Sequence, residues 1–153
     1  MNKTTEFVSF LLRAKQKTYA TGGEGNEQNL DDGTREMSYR EGNFFYRDRY
    51  FGFNTFTGEE VVWENSKVIW AMNYYGMVLD ESVSAGDVYR FLQKAMQQVG
   101  AERPFRGPDE YKEGDFIYKD ASEGDVSQFS GEEAIFFQNK EVYLLIYHGG
   151  KVR

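Results

Sequence analysis

The sequence lacks cysteine and contains one histidine, two prolines and no long apolar run among its 153 residues. The absence of cysteine excludes disulfide scaffolds, Cys-based zinc sites and thiol nucleophiles. With His148 as the one histidine, no multi-histidine metal site can form within one chain. The apolar stretch at residues 7–12 is short and basic residues follow it directly, so no export signal or membrane span is predicted. We therefore expect a cytoplasmic protein.

Basic residues are also scarce: 18 stand against 25 acidic ones, giving a net charge of −7. This balance disfavours a surface that follows phosphates, so neither nucleic acid nor a membrane is an expected partner. Aromatic residues, in contrast, make up 17% of the chain, and hydrophobic residues make up 40%. A chain of this length and composition is expected to fold as one domain over residues 1–153.

An internal repeat organises the chain. Residues 39–48 share six identities in ten positions with residues 111–120, and the Phe-x-Gly-Glu-Glu motif at 56–60 returns at 129–133. The repeat predicts that the chain is an internal duplication.

Each repeat is predicted to contain one helix and three strands, over about residues 4–79 and 84–152. Apolar residues at three- and four-residue spacing predict the two helices, at about 4–19 and between Ser84 and Gly100. Runs of β-branched and aromatic residues predict six strands, at about 43–50, 58–64, 67–75, 115–120, 131–137 and 141–148. The predicted fold is α+β, an internal duplication of an α-β-β-β unit with six mainly antiparallel strands and two helices packed on one face.

The central strands are predicted to be covered on both sides. A simple two-residue hairpin at residues 65–66 places Trp63 and Trp70 on one face and Glu60 on the other, and both faces are largely apolar. We expect the helices to cover one face, and a ligand, a partner subunit or a loop to cover the other. The long acidic segment 20–38 has two interpretations, a mobile loop or a lid.

Four motifs along the chain carry a family resemblance. They are Ala14-Lys15-x-x-Thr18-Tyr19-Ala20, Tyr46-x-Asp48-x-Tyr50-Phe51-Gly52, Phe56-x-Gly58-Glu59-Glu60-Val61-Val62 and Trp70-x-Met72-Asn73-Tyr74-Tyr75-Gly76. They resemble a bacterial family of unknown function that is often found as the C-terminal domain of Cro/CI-type helix-turn-helix regulators. The resemblance implies a stand-alone companion domain of the effector-sensing kind, without a DNA-binding domain. By analogy with duplicated effector-binding domains, a ligand would lie between the two halves.

The repeated Gly-Glu-Glu motif provides the leading site hypothesis. One glutamate of each pair should face an apolar environment, where a carboxylate is costly unless it is paired or protonated. Glu60 and Glu133 either anchor a cationic ligand or are structural. In the structural interpretation they either cap backbone amides at a bulge or pair with basic residues of the neighbouring strand, namely Arg47, Arg49 or Lys119.

Nearby aromatic residues either line a cleft or belong to the core. The Tyr-x-Asp motifs at 46–48 and 118–120 are either ligand contacts or structural hydrogen-bonded pairs. The predicted ligand-binding residues are Glu60, Trp70, Asn73, Tyr74, Tyr75, Glu133 and Tyr147.

The sequence contains no recognisable catalytic constellation. No serine or threonine lies near an evident base, and His148 stands at a strand end without a partner in the sequence. We therefore expect no enzyme activity, no metal and no cofactor. The leading hypothesis is non-enzymatic binding or sensing of a small hydrophobic or cationic molecule in a cleft between the repeats. The alternative is a protein-interaction or homodimerisation module without a ligand site.

Overall fold

The computed structural model describes residues 2–19 and 27–153. The elements are α1 (Lys3–Lys17), β1 (Gln28–Asn29), β2 (Arg35–Glu41), β3 (Phe44–Gly52), β4 (Phe56–Glu64), β5 (Lys67–Val78), α2 (Ala85–Met96), β6 (Glu110–Glu113), β7 (Phe116–Asp125), β8 (Gln128–Phe137) and β9 (Lys140–Lys151). The strands form one antiparallel sheet in the order β1-β2-β3-β4-β5-β9-β8-β7-β6. In the part of the chain described, neither helix is long and apolar enough to cross a membrane.

Both helices pack on the same side of the sheet, which we call the inner face. Phe7 of α1 lies on Trp70 of β5, with ring centroids 6.0 Å apart, and Phe91 of α2 stacks on Phe116 of β7 at 5.0 Å. The inner face also carries the buried polar residues of the strands, which are Tyr46, Asp48, Glu60, Tyr74, Tyr118, Asp120, Glu133, Tyr143 and Tyr147. The opposite side is the outer face.

The prediction of six strands in two α-β-β-β units is wrong, although a mixed helix and strand fold is present. A helix followed by four strands occurs twice, as α1 with β2–β5 and as α2 with β6–β9, and β1 adds a ninth strand. The sequence pattern missed β2 and β6 because both strands contain few apolar residues. β2 has Met37 and Tyr39 between polar residues, and β6 has Tyr111 alone. These strands form because each pairs with a longer, more apolar neighbour.

The segment 20–38, predicted to be a mobile loop or a lid, is partly strand. β1 pairs with β2 through Gln28 and Glu36, and β2 pairs with β3 along its whole length. In the turn between β1 and β2, the Asp32 carboxylate accepts a hydrogen bond of 2.9 Å from the backbone N–H of Thr34. Residues 20–26 lie outside the described residues.

A β-bulge changes which side chains of the central hairpin share a face. The register between β4 and β5 shifts at Val62 and Trp63. One extra residue reverses the alternation of side chains, so Glu60 and Trp70 lie together on the inner face, whereas the predicted register separated them. Trp63 lies on the outer face, where it contacts the ring of Phe45 at 5.4 Å.

Candidate functional site

A cavity of about 270 Å³ lies between the two halves of the fold, against the inner face. β3, β4 and β5 form its floor and one wall, while α2 and Arg106, which follows α2, belong to the second half. The described residues that line it are mainly aromatic and charged. The aromatic ones are Tyr19, Tyr50, Phe53, Phe56, Tyr74 and Tyr89, and the charged ones are Arg35, Asp48, Arg90 and Arg106.

Tyr89 of α2 joins the two halves at the aromatic wall. Its ring meets Phe53 and Phe56 edge-on, with centroid distances of 5.0 and 5.8 Å, and its hydroxyl donates to the carbonyl oxygen of Phe53. These edge-to-face contacts, together with the hydroxyl bond, hold the ring in place. The wall is therefore shaped by residues of both halves.

Asp48 places a buried carboxylate at the cavity. Its residue surface is 4% exposed, and within residues 2–19 and 27–153 one side-chain hydrogen bond reaches it, from the Tyr74 hydroxyl at 2.5 Å. Among the described residues, no lysine or arginine nitrogen forms an ion pair with it. Burial, followed by the charge of nearby Glu60, raises the pKa of Asp48 to about 7. Near neutral pH this carboxyl can therefore gain or lose a proton.

Glu60, in contrast, has its bonding capacity filled by the chain. The Lys15 ammonium of α1 lies 2.8 and 3.0 Å from its two oxygens and donates a third bond of 2.6 Å to the carbonyl of Phe105. The Tyr46 hydroxyl also donates to Glu60. Burial lowers the pKa of Lys15, and the glutamate opposes that shift. These contacts fit the structural interpretation of Glu60, with a helix residue in place of the neighbouring-strand partner that the sequence suggested.

Glu133 is held in the same manner by the second half. Arg106 donates from Nε at 3.1 Å and from Nη2 at 2.6 Å, so the pair is bidentate. The hydroxyls of Tyr118 and Tyr143 lie 2.6 and 2.8 Å from its oxygens. Glu133 is fully buried and, like Glu60, has the contacts of a structural group.

The glycine of each Gly-Glu-Glu motif has a separate structural cause. Gly58 is paired across the sheet with Tyr74, and Gly131 with Tyr147. A Cβ at Gly58 would stand 2.4 Å from the Tyr74 hydroxyl oxygen, and one at Gly131 would stand 2.1 Å from Cζ of Tyr147. Each tyrosine ring therefore passes over the glycine of the neighbouring strand, at a point where a side chain would block it. This places the tyrosine hydroxyl next to the aspartate of the following strand.

Asp120 occupies the place in the second half that Asp48 occupies in the first. The Tyr147 hydroxyl donates to it at 2.7 Å, and the Tyr118 hydroxyl lies 2.9 Å from its other oxygen. Unlike Asp48, it also forms an ion pair, with Arg103. Burial and the charge of Glu133 raise the pKa of Asp120 to about 6.

The predicted site residues do not come together in one place. Tyr74 lines the cavity, and the contacts of Glu60 and Glu133 are those given above. Trp70 is fully buried in the core, while Tyr147 bonds to Asp120. Asn73 and Tyr75 are exposed on the outer face, away from the cavity.

The sequence reasoning missed the part of the cavity that comes from the second half. Tyr89 and Arg106 are far in sequence from Asp48, and no motif joins them. The Tyr-x-Asp motif did mark Asp48, and it was the signal closest to the site. His148 is exposed on the outer face opposite Asn73, and the described residues contain no cluster of three or more acidic or histidine side chains placed for a metal ion.

The fold and the cavity define a class: an α+β domain in which a helix-covered antiparallel sheet bounds a pocket of small-molecule size. The chain belongs to the DUF5680 family, a domain of unknown function, whose sequence profile matches residues 48–152. This confirms the resemblance to an uncharacterised family. Neither the curated proteins nor the solved structures gave a match to the chain.

Proposed function

We propose that this chain binds a small hydrophobic or cationic molecule in the cavity between its halves and releases it chemically unchanged. The observation that carries the proposal is the cavity itself, where aromatic side chains of both halves surround one buried carboxylate. Concave, largely apolar sites with a few polar groups are the usual form of small-molecule sites.

The volume of the cavity limits the size of the ligand. A cavity of roughly 150 Å³ holds benzene, and this one measures about 270 Å³. The site therefore suits one ring with a short side chain.

The composition of the lining favours binding over catalysis. Its described residues include no serine, threonine, lysine or histidine, so the usual nucleophiles are missing from that set, and Asp48 is the group there with a pKa near neutral pH. The tyrosines of the lining are poor nucleophiles here, since burial raises the pKa of Tyr74 well above its ordinary value.

A sensing role follows from the likeness to companion domains of Cro/CI-type bacterial regulators. In that role the molecule would be an effector that is recognised in the bacterial cytoplasm. Duplicated α+β effector-binding domains supply an analogy for a ligand between two related halves.

A fragment screen with a cavity-filling variant tests the proposal. Gly86 of α2 lines the cavity, and a Cβ there meets atoms no closer than 3.5 Å, so Gly86→Leu should fold and occupy part of the space. Fragments that bind the parent should raise its melting temperature, by the equivalent of about 2.7 kcal/mol at a hundred times Kd. Gly86→Ala is the matched control and should keep the shift, whereas Gly86→Leu should lose it. A screen without hits, or hits that Gly86→Leu leaves unchanged, would overturn the proposal.

A second candidate function, self-association or protein interaction, is favoured by the outer face. Tyr75 and Ile146 are register partners on β5 and β9, and they are 48% and 53% exposed. Neighbouring exposed apolar side chains at the centre of a sheet are typical of interaction surfaces. Sedimentation of the parent and of Ile146→Lys over a range of concentrations tests it. A monomer at every concentration, with unchanged sedimentation of the variant, would exclude the homodimer.

A further inference from the structure

We propose that the ligand carries a guanidinium or primary ammonium group, which binds Asp48 where Arg103 meets Asp120 in the second half. The inference rests on the proposed function, because it names the chemistry of the ligand in the same cavity.

The two aspartates occupy equivalent positions in the sheet. Asp48 of β3 is the register partner of Glu60, and Asp120 of β7 is the register partner of Glu133. Each accepts a hydrogen bond from a tyrosine of the central strand pair, and those tyrosines, Tyr74 and Tyr147, are themselves register partners. The same scaffold thus presents a carboxylate in both halves.

The halves differ in what lies over that carboxylate. In the second half, Arg103 donates from Nη2 to Asp120 and from Nε to Ser122 at 2.8 Å, so its guanidinium covers two alternate positions of β7. The corresponding positions of β3 are Asp48 and Tyr50, and both line the cavity. The space that a guanidinium fills in one half is therefore part of the cavity in the other.

The other charges of the lining already have partners. Arg106 is paired with Glu133, Arg90 with Asp87, and Arg35 lies 4.0 Å from Glu27. Asp48 is thus the charged lining residue for which the described chain supplies no ion pair. A buried charge without a partner is costly, so a cation from outside the chain is the complement that this cavity lacks.

The aromatic wall suits the remainder of such a molecule. Phe53, Phe56 and Tyr89 lie at the cavity, and no cation of the described residues stands over their rings. The rings of Tyr50 and Tyr74 already have Arg35 and Arg106 over them at 5.7 and 5.6 Å. An aryl group on a short linker would place its ring against the first three side chains and its cation at Asp48.

Binding of a permanent cation should also depend on pH. The strands place Glu60 of β4, Tyr74 of β5 and Tyr46 of β3 near Asp48. Lys15 of α1, Tyr19 after α1 and Arg106 after α2 are the other titratable groups that interact with it. Because a cation binds the ionised carboxylate, its affinity should rise as the pH passes through the pKa of Asp48, about 7. A neutral ligand should show no such rise.

Benzylguanidine and N-benzylurea are probes of equal shape that differ in charge. Isothermal titration at pH 8 should give benzylguanidine at least a tenfold lower Kd than the urea, since a hydrogen-bonded charge pair is worth about one to two factors of ten. Asp48→Asn should remove that preference. Glu132→Gln makes the same change of net charge on the exposed outer face and should leave it intact.

The outcomes separate this inference from the proposed function. Equal affinity of the two probes, or a preference that survives Asp48→Asn, overturns the charge assignment. The proposed function still stands in that case if the urea binds the parent and fails to bind Gly86→Leu. If neither probe binds, the charge assignment is overturned. The proposed function would then still stand if neutral fragments bind the parent and fail to bind Gly86→Leu. If Asp48→Asn fails to fold, the pH dependence of binding to the parent protein tests the charge assignment. Its affinity for benzylguanidine should fall about tenfold from pH 8 to pH 6, and a constant affinity overturns the inference.

Discussion

The two halves of the sheet hold equivalent acidic residues with different basic partners. In the first half, Lys15 of α1 forms an ion pair with Glu60, and no described residue forms one with Asp48. In the second half, two arginines of the connection after α2 form the ion pairs, Arg106 with Glu133 and Arg103 with Asp120. In the second half both buried acidic residues therefore have a basic partner, whereas in the first half the described residues supply none for Asp48.

This difference shows where a repeated scaffold can change its chemistry. The strands supply nearly identical tyrosines and carboxylates, because those groups are needed to fill the inner face. The partners come from the helices and from the segments that follow them, where the two repeats have little in common. Binding sites arise in such connections because they can vary without loss of the core.

Arg106→Met should give the largest loss of stability. It leaves Glu133 fully buried without its cation, which typically costs about 3–5 kcal/mol. Urea unfolding measures the loss. Arg90→Met, a change at an exposed ion pair, should stay within about 0.5 kcal/mol of the parent. A loss below about 1 kcal/mol for Arg106→Met would contradict the structural role of this pair.

Asp48→Asn should change the pH dependence of stability. The folded pKa of Asp48, about 7, lies above its unfolded value. The stabilisation from its protonation is therefore complete below about pH 4 and is lost as the pH rises through 7. Relative to the variant, the parent should lose about 1.4 kcal/mol per pH unit between the two pKa values. Urea unfolding at pH 5, 6, 7 and 8 checks the difference, and a constant difference would contradict it.

Arg103→Met should make the second half resemble the first. Removal of a charged hydrogen bond to a nearly buried carboxylate should cost about 1–2 kcal/mol. The pKa of Asp120 should rise from about 6 towards that of Asp48, because Arg103 lowers it, whereas burial and the charge of Glu133 raise it. Carbon NMR of the carboxyl groups follows this titration. An unchanged pKa of Asp120 would show that Arg103 does not set the difference between the halves.

Glycine substitutions in the two central hairpin turns should give the smallest effect. Ser66 and Asn139 occupy the same turn position, with φ of 67° and 65°. Glycine adopts this conformation freely and asparagine tolerates it, so Ser66→Gly should gain about 0.5–1 kcal/mol and Asn139→Gly less. Thermal unfolding of both variants measures the contrast. A larger gain for Asn139→Gly would contradict it.

The sequence predicted the parts of the fold that have strong local patterns. All six predicted strand segments overlap the observed β3, β4, β5, β7, β8 and β9, and the two helices lie close to their predicted positions. The strands β2 and β6 escaped because few of their residues are apolar. The prediction that Glu60 and Trp70 lie on opposite faces was wrong, because the bulge at Val62 and Trp63 leaves no local signature.

The site was less accessible from the sequence because its contacts are distant along the chain. Lys15 and Glu60 are separated by 45 positions, and Arg106 and Glu133 by 27. The repeat could show that two glutamates are equivalent, yet it could not show which cation each receives. The open carboxylate at Asp48 emerges only when the partners of both halves are compared in space.

The position of α2 has a consequence for the motions of the protein. This helix belongs to the second half, yet Tyr89 places it against Phe53 and Phe56 of the first. A molecule bound in the proposed manner would touch both halves at once, so their separation would require its release. Amide hydrogens along the β5–β9 pairing should therefore exchange with deuterated solvent more slowly as occupancy rises.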